Sequence, residues 1–256
     1  MTTSVRVGQL PPVHVEIRRV PLLRPLQWLN RGWDDLKAIG VPGLAHGALI
    51  AILGGVLLML GSTHLYLIAA AISGYLLVGP VMTTGLCELA RRRAAGESLG
   101  FDESLQALTR NPDGLTHFGG ILALIALAWF AVSATLLQSV FSTSTPSLAV
   151  ALWGGSAAVS HQQVLGYVAV GAILAGIVFC LSVVAVPLII DRHATASEAM
   201  RASARATLAN LPALLLWAAL IVGLTVVGFA TFLLGMIVIA PLLGYATWHA
   251  YRDLVV

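Results

Sequence analysis

The chain has 256 residues, 58% of them hydrophobic and only 10% charged, with a mean hydropathy of +0.91. A soluble domain carries about 25% charge, so this composition excludes a water-soluble globular protein and points to a surface that meets lipid. The formal net charge of +3 and pI near 9.2 could suit nucleic acid, but no basic stripe interleaved with aromatics is present, and no nucleic-acid partner is expected.

Residues 1–27 contain Pro11, Pro12, Pro21 and Pro25 and little periodicity, so they are expected to form a mostly disordered cytoplasmic tail. The first 42 residues hold six basic side chains and no apolar core of a signal peptide, so targeting is expected through the first span itself. Residues 28–256 read as one membrane domain. Its apolar runs fall at about 43–61, 64–89, 115–141, 163–190, 211–228 and 230–250. Roughly 20 apolar residues in a helix cross the hydrocarbon core, and backbone in lipid must pair internally. The runs are too long and too uniformly apolar for barrel strands. The expected class is therefore an all-α membrane protein, a six-transmembrane-helix bundle of three helical hairpins with short cytoplasmic amphipathic helices. The last pair is the shortest, with Gly228 near its turn, and is open to a tilted or re-entrant course.

Charge sets the orientation. Of the 14 Lys and Arg residues, six precede residue 43, four lie between 90 and 114, three lie between 191 and 210, and the last is Arg252. The connections near 62–63, 142–162 and 229 hold none. Positive loops stay cytoplasmic, which places both termini on the cytoplasmic side of a bacterial inner membrane.

One unit recurs three times along the chain. A cytoplasmic amphipathic segment leads to an entrance proline (Pro42, Pro112, Pro212), an outward helix, and a return helix with an inner proline (Pro80, Pro187, Pro241). Proline suits a helix start, where its missing N–H has no partner to lose; inside a helix it produces a kink. In the first amphipathic segment Trp33 and Leu36 share a face beside Asp34, Asp35 and Lys37. In the second, Phe101, Leu105 and Leu108 form a stripe that ends at Asn111-Pro112. In the third, Thr195-x-x-Glu198 matches a capping box, and Met200, Ala204 and Leu208 line one face. Such helices belong at the interface.

Chemistry is sparse within the spans. No Asp, Glu, Lys, Arg or His falls at an expected midplane, and such groups mark most coupled transporters. Neither a His-x3-His nor a Cys-x2-Cys spacing occurs, and Cys87 and Cys180 both sit in apolar runs, so no cofactor or metal is expected. No nucleophile motif appears, and no catalytic constellation is assigned. The candidate interaction site is the cytoplasmic rim: the basic run Arg91, Arg92, Arg93, with His46, His117, Glu88, Asp191 and Arg192. Such a run attracts anionic lipid at the inner leaflet. The small-residue pairs Gly43-x3-Gly47, Gly171-x3-Ala175, Ala219-x3-Gly223 and Ala240-x3-Gly244 permit close helix approach inside the bundle. The functional expectation is a non-catalytic accessory, assembly or scaffold component with a membrane-protein partner; the alternative is a small-solute permease or channel.

Three sets of motifs also carry a family resemblance. Ile17-Arg18-Arg19-Val20-Pro21 with Pro25-Leu26-x-Trp28-Leu29-x-x-Gly32-Trp33-x-Asp35-Leu36 is the first. Gly85-Leu86-Cys87-Glu88-Leu89-x-Arg91-Arg92 with Gly96-Glu97 is the second. Val186-Pro187-Leu188-Ile189-Ile190-Asp191-Arg192 followed by Glu198-Ala199 and Asn210 is the third. Together they resemble the bacterial integral-membrane family known as domain of unknown function 2189. That resemblance implies a multi-pass membrane fold without an established activity. Some members carry the label of cytochrome c oxidase subunits. A catalytic subunit needs several intramembrane histidines, which this chain lacks, so the resemblance implies at most an accessory role.

The charge partition makes a direct prediction. A reporter fused after Val256 should be active only as a cytoplasmic reporter, and activity on the far side of the membrane would reverse the assigned orientation.

Overall fold

The computed structural model describes residues 15–61, 83–140 and 161–256. All regular structure among them is helical, apart from an isolated antiparallel bridge between Ile17 and Val255. In chain order the helices are α1 (Arg24–Ile39), α2 (Val41–Gly61), α3 (83–95), α4 (Phe101–Leu105), α5 (Ala107–Arg110) and α6 (Pro112–Val140). They continue with α7 (His161–Ser182), α8 (Ala185–Arg192), α9 (Ala196–Ala209), α10 (Leu211–Ala230) and α11 (Met236–Leu254).

Three segments are long and apolar enough to cross a membrane: Pro112–Ser133, Leu165–Arg192 and Leu211–Ala230. A fourth is the pair Arg24–Ile39 and Val41–Leu57, bent by 107°. These correspond to the expected first, third, fourth and fifth spans, so the described residues carry three or four rather than six. The expected second span, with Pro80, lies largely outside the described residues, as do the outer connections 62–63 and 142–160. The expected sixth is the helix α11, which does not rank with the others. Its second half carries Tyr245, Trp248, Tyr251 and Asp253, and much of it is buried against protein instead of facing lipid.

The entrance prolines stand where the sequence puts them. Pro42, Pro112 and Pro212 each occupy one of the first two positions of α2, α6 and α10. Before each of these helices a short helix ends on a single linking residue: Gly40, Asn111 or Asn210. At Gly40 the backbone takes φ +66°, a region open to glycine at little cost, and this produces the sharp turn between α1 and α2.

Packing is organised around α11. Helix α2 runs antiparallel to it, with Gly43, Gly47 and Gly54 facing Tyr245, Ile237 and Leu233 in turn. On α1, Gly32 lies so close that a Cβ there would stand 2.9 Å from the Leu242 carbonyl and the Ala246 amide. Gly244 of α11 meets Leu86 of α3. Lipid tails are as apolar as leucine, so helices in a membrane gain little from hydrophobic sorting and depend on close contact between small residues. Of the expected small-residue pairs, Gly43–Gly47 and Gly244 serve the interior, and Gly171 packs on Trp129, whereas Gly223 has open space around it.

A second group gathers on α9, which packs against α6, α7 and α8. The stripe Met200, Ala204 and Leu208 does not form its protein-facing side. Ala199, Ala202, Ser203, Ala206 and Thr207 are buried instead, and Leu208 points outward. Small side chains let α9 approach closely, leaving the bulky leucine for an apolar exterior. The α4–α5 stripe behaves likewise, with Phe101, Leu105 and Leu108 all exposed. On α1, Trp33 is exposed while Leu36 is buried, so these two do not share a face.

That packing also explains Pro187. The helix breaks at Val183 and Val184, between α7 and α8, because proline offers no N–H to the carbonyl four residues earlier. Ser203 of α9 fills the break: its hydroxyl donates to the Cys180 carbonyl at 2.8 Å and accepts the Val184 N–H at 3.4 Å. Pro241 is accommodated inside an unbroken α11. The turn between α10 and α11 spans residues 231–235, slightly beyond Gly228, with Phe232 and Leu233 in the left-handed region. Thr231 secures it by accepting the Gly235 N–H at 2.9 Å and donating to the Gly228 carbonyl at 2.9 Å.

Residues 15–23 differ from the expected loose tail. Arg18 N–H donates to the Leu254 carbonyl (2.9 Å) and Val256 N–H to the Glu16 carbonyl (3.1 Å), so this stretch runs extended beside the end of α11. Those backbone groups have specific partners more than 200 residues away, which composition alone does not disclose. Residues 1–14 lie outside the described residues.

The glycine contacts yield a paired test. Gly47→Ala would drive a methyl into the Ile237 carbonyl and should cost about 1–3 kcal/mol by overpacking. Gly55→Ala has open space and should leave thermal unfolding in detergent unchanged or slightly raised. Equal midpoints for the two variants would refute the close α2–α11 contact.

Candidate functional site: the charged end of the bundle

Three carboxylates, two buried and one partly buried, lie where the helix ends converge, each from a different helix. Glu88 of α3 is fully buried. It accepts from Arg91 (2.8 and 2.9 Å) and Arg92 (3.0 Å) on its own helix, and Arg110 of α5 approaches to 3.2 Å. Arg91 and Arg92 also reach Glu97, at 3.0 and 3.5 Å, and Arg92 donates to Gln106 at 2.7 Å. The Arg91 hydrogen bond holds the Glu97 carboxyl below the usual carboxylate range against the opposing effect of desolvation, with the Arg91, Arg92 and Arg110 charges adding to the shift. Bonding to Glu88, which outweighs burial, raises Arg91 further above its ordinary value and keeps it charged.

Asp35 of α1 is the second carboxylate. It pairs with Arg93 of α3 and accepts from His249 Nε2 of α11 at 2.8 Å. The third is Asp253, near the end of α11, which accepts from three groups on α1: Arg24 (2.6 Å), Trp28 Nε1 (2.8 Å) and Arg31 (3.3 Å). Burial opposes its charge, but the Arg24 and Trp28 hydrogen bonds and the neighbouring arginine charges outweigh that and hold its carboxyl low. Trp28 also meets Trp217 of α10 edge to face, with ring centroids 5.8 Å apart.

The rim residues singled out from the sequence therefore separate into groups. Arg91, Arg92 and Glu88 converge, and Arg93 turns to a different carboxylate, so the three arginines do not form a free basic run. Asp191 accepts from the Tyr251 hydroxyl at 2.6 Å, and Arg192 donates to the Val256 carbonyl at 3.0 Å. These join α8 to the end of α11. His46 is buried on α2, where Nδ1–H donates to the Pro42 carbonyl at 2.9 Å and Nε2 lies 3.2 Å from the Ser104 hydroxyl. Phe101 rests against its ring at 4.8 Å, so His46 seats α4 on α2. His117 is exposed and, among the described residues, bonds its own helix at the Asp113 carbonyl, 2.7 Å away. His46 and His117 therefore make no shared contact, although they occupy similar places after their prolines.

The partners of several residues at this end escape a sequence reading, even where the residue itself, such as Trp28 or Asp35, stands in a motif. Asp35, Asp253, Trp28, His249 and Tyr251 act through partners on distant helices. Two asparagines act as staples. Asn111 donates to the Ile189 (3.3 Å) and Ala194 (2.9 Å) carbonyls, and Asn210 accepts the Val20 N–H (2.8 Å) while donating to the Arg18 carbonyl (3.0 Å). Their available signal was position, since each immediately precedes a proline-bearing helix start. The capping box at Thr195 and Glu198 is present as read, with Glu198 N–H donating to Thr195 Oγ1 at 3.3 Å. Among the described residues, no group of three or more His, Cys, Asp or Glu is placed to hold a metal ion. Cys87 and Cys180 are free thiols.

The Asp253 cluster predicts a pH effect. A carboxyl whose folded pKa is depressed stabilises the fold fully above its unfolded value, near pH 4. That contribution is lost as pH falls through the lower folded value. Asp253→Asn should cost about 2 kcal/mol at neutral pH, allowing for the partial exposure of its arginines. It should also flatten the acid limb of a stability-versus-pH curve. An unchanged acid limb would show that Asp253 is not so held.

No curated protein and no solved structure matches the chain. The stretch that carries Glu88, the three arginines, α4 to α8 and Asp191 does have relatives: residues 67–191 match the family described as predicted integral membrane protein (DUF2189), the family to which the sequence motifs pointed.

Proposed function

We propose that the protein is a non-catalytic accessory or scaffold component of a bacterial inner membrane, embedded with its charged end toward the cytoplasm. One observation carries this reading: the buried acids and bases of that end are engaged with one another. Glu88, Asp35 and Asp253 each face arginine, and their partners come from α1, α3, α5 and α11. Such an arrangement positions helices, and among the described residues these three carboxylates face their partners within the bundle. What this end offers to a partner is apolar, namely the exposed Phe101, Leu105 and Leu108 of α4–α5 and Trp33 of α1. In this reading the three short helices, each linked by one residue to a proline-bearing helix start, are repeated copies of one docking unit. The charge partition of the sequence supports the orientation.

Purification of the full chain at native abundance in mild detergent should recover a stoichiometric membrane-protein partner. Leu105→Asp with Leu108→Asp should release that partner without altering the helical content of the chain. A chain recovered alone from cross-linked membranes would refute the scaffold reading.

A further inference from the structure

Apart from Arg192, which bonds the Val256 carbonyl, and Arg252 on the last turn of α11, the described arginines of the charged end fall into two sets. Arg24, Arg31, Arg91, Arg92, Arg93 and Arg110 each face a carboxylate of the chain. Arg18, Arg19, Arg201 and Arg205 are exposed and form no ion pair among the described residues.

Hydrogen bonds to backbone groups bring the segment that carries Arg18 and Arg19 beside the helix that carries Arg201 and Arg205. Arg205 Nη2 donates to the Val15 carbonyl at 3.1 Å, which ties α9 to the extended segment. Asn210 then holds the Arg18 carbonyl (3.0 Å) and the Val20 amide (2.8 Å) against the end of the same helix. The Arg18 amide is fixed on its other side by the Leu254 carbonyl at 2.9 Å. Along α9, Arg201, Arg205 and Leu208 follow at helical spacing on the exposed side, opposite the buried alanines. Two acids share this surface, Glu16 on the segment and Glu198 at the start of α9, against four arginines. Apolar side chains border the arginines: Leu22 is 54% exposed, Leu23 62% and Leu208 73%.

We propose that this face, formed by residues 18–23 and the outer side of α9, is a seat for anionic phospholipid headgroups. A guanidinium matches phosphate oxygens in a two-point fork and remains charged at any physiological pH. The leucines beside the arginines enter the acyl layer just below, the arrangement of an interfacial helix. Cationic side chains without internal partners near a negatively charged leaflet gain attraction that paired ones do not. The seat is thus separate from Arg91, Arg92 and Arg93, whose charges are matched within the protein. It rests on the orientation given under Proposed function, and does not require that a protein partner exist.

The test uses the full chain in phosphatidylcholine bilayers doped with brominated phosphatidylglycerol or brominated phosphatidylcholine, with tryptophan quenching as the readout. Wild type should prefer the anionic lipid. The quadruple variant Arg18→Gln, Arg19→Gln, Arg201→Gln, Arg205→Gln should lose roughly tenfold or more of that preference, and the matching Arg→Lys variant should retain most of it. If the quadruple variant fails to fold, Arg18→Gln with Arg19→Gln, which leaves α9 untouched, should still lose a several-fold share. Equal quenching by both lipids in wild type, or undiminished preference in a folded glutamine variant, overturns the proposal. Displacement by inorganic phosphate at constant ionic strength would assign the site to free phosphate and overturn it too. Because lipid preference is measured on the isolated chain, its failure is distinguishable from failure to find a protein partner.

Discussion

A carboxylate removed from water must be matched by a cation or hydrogen-bond donors, and the assembly of this protein follows from that requirement. Glu88 and Asp35 are buried and Asp253 is partly buried, and their partners define a chain of helices. Glu88 joins α5 to α3, Asp35 joins α3 to α1 and α11, and Asp253 joins α11 back to α1. A buried ion pair adds little net stability over a hydrophobic replacement, but breaking one costs about 3–5 kcal/mol. The consequence is specificity. Helices that could slide against one another in lipid are held to one arrangement.

The rest of the molecule follows from a membrane solvent. The main core cluster gathers where the helices converge at the charged end, around Trp28, Leu86, Ile189, Trp217 and Tyr251. Farther along the spans, Leu124, Leu165, Ile173 and Val222 face outward. In water such a surface would be unstable; in a bilayer it is the matching one. The interior is therefore made by close backbone approach, through glycines on α1 and α2 and alanines on α9, and by hydroxyl and amide groups inserted where the backbone lacks partners. Ser203 at the Pro187 break is the clearest example, because it supplies both a donor and an acceptor at the same gap.

The interfacial helices link this architecture to function. On α4–α5 and α9 the large residues Phe101, Leu105, Leu108 and Leu208 point away from the protein while small or polar residues point in, whereas α1 buries Trp28, Leu36 and Ile39 and exposes Trp33. This outward placement leaves Leu208 exposed beside Arg201 and Arg205, which form no ion pair among the described residues, and a phenylalanine–leucine stripe on the face assigned to a partner. The charged end thus contains two kinds of surface. One is internally neutralised and structural, and the other is open to its surroundings.

Composition, the long apolar runs and the prolines were enough to indicate an all-helical membrane protein and the starts of α2, α6 and α10, and the Thr195-x-x-Glu198 spacing was enough for the capping box of α9. These are local properties, because a run of apolar residues or a proline near a helix start acts within a few residues of itself. The pairing at the charged end was not legible, since Asp253 and Asp35 find Arg24, Trp28 and His249 across more than 200 residues of chain. Nor could periodicity choose the buried face of α9, where alanine and leucine are both apolar and the decision rests on how closely Ser203 must approach the broken helix. Only the tertiary structure, by setting which backbone gaps and which buried charges must be satisfied, decided those contacts.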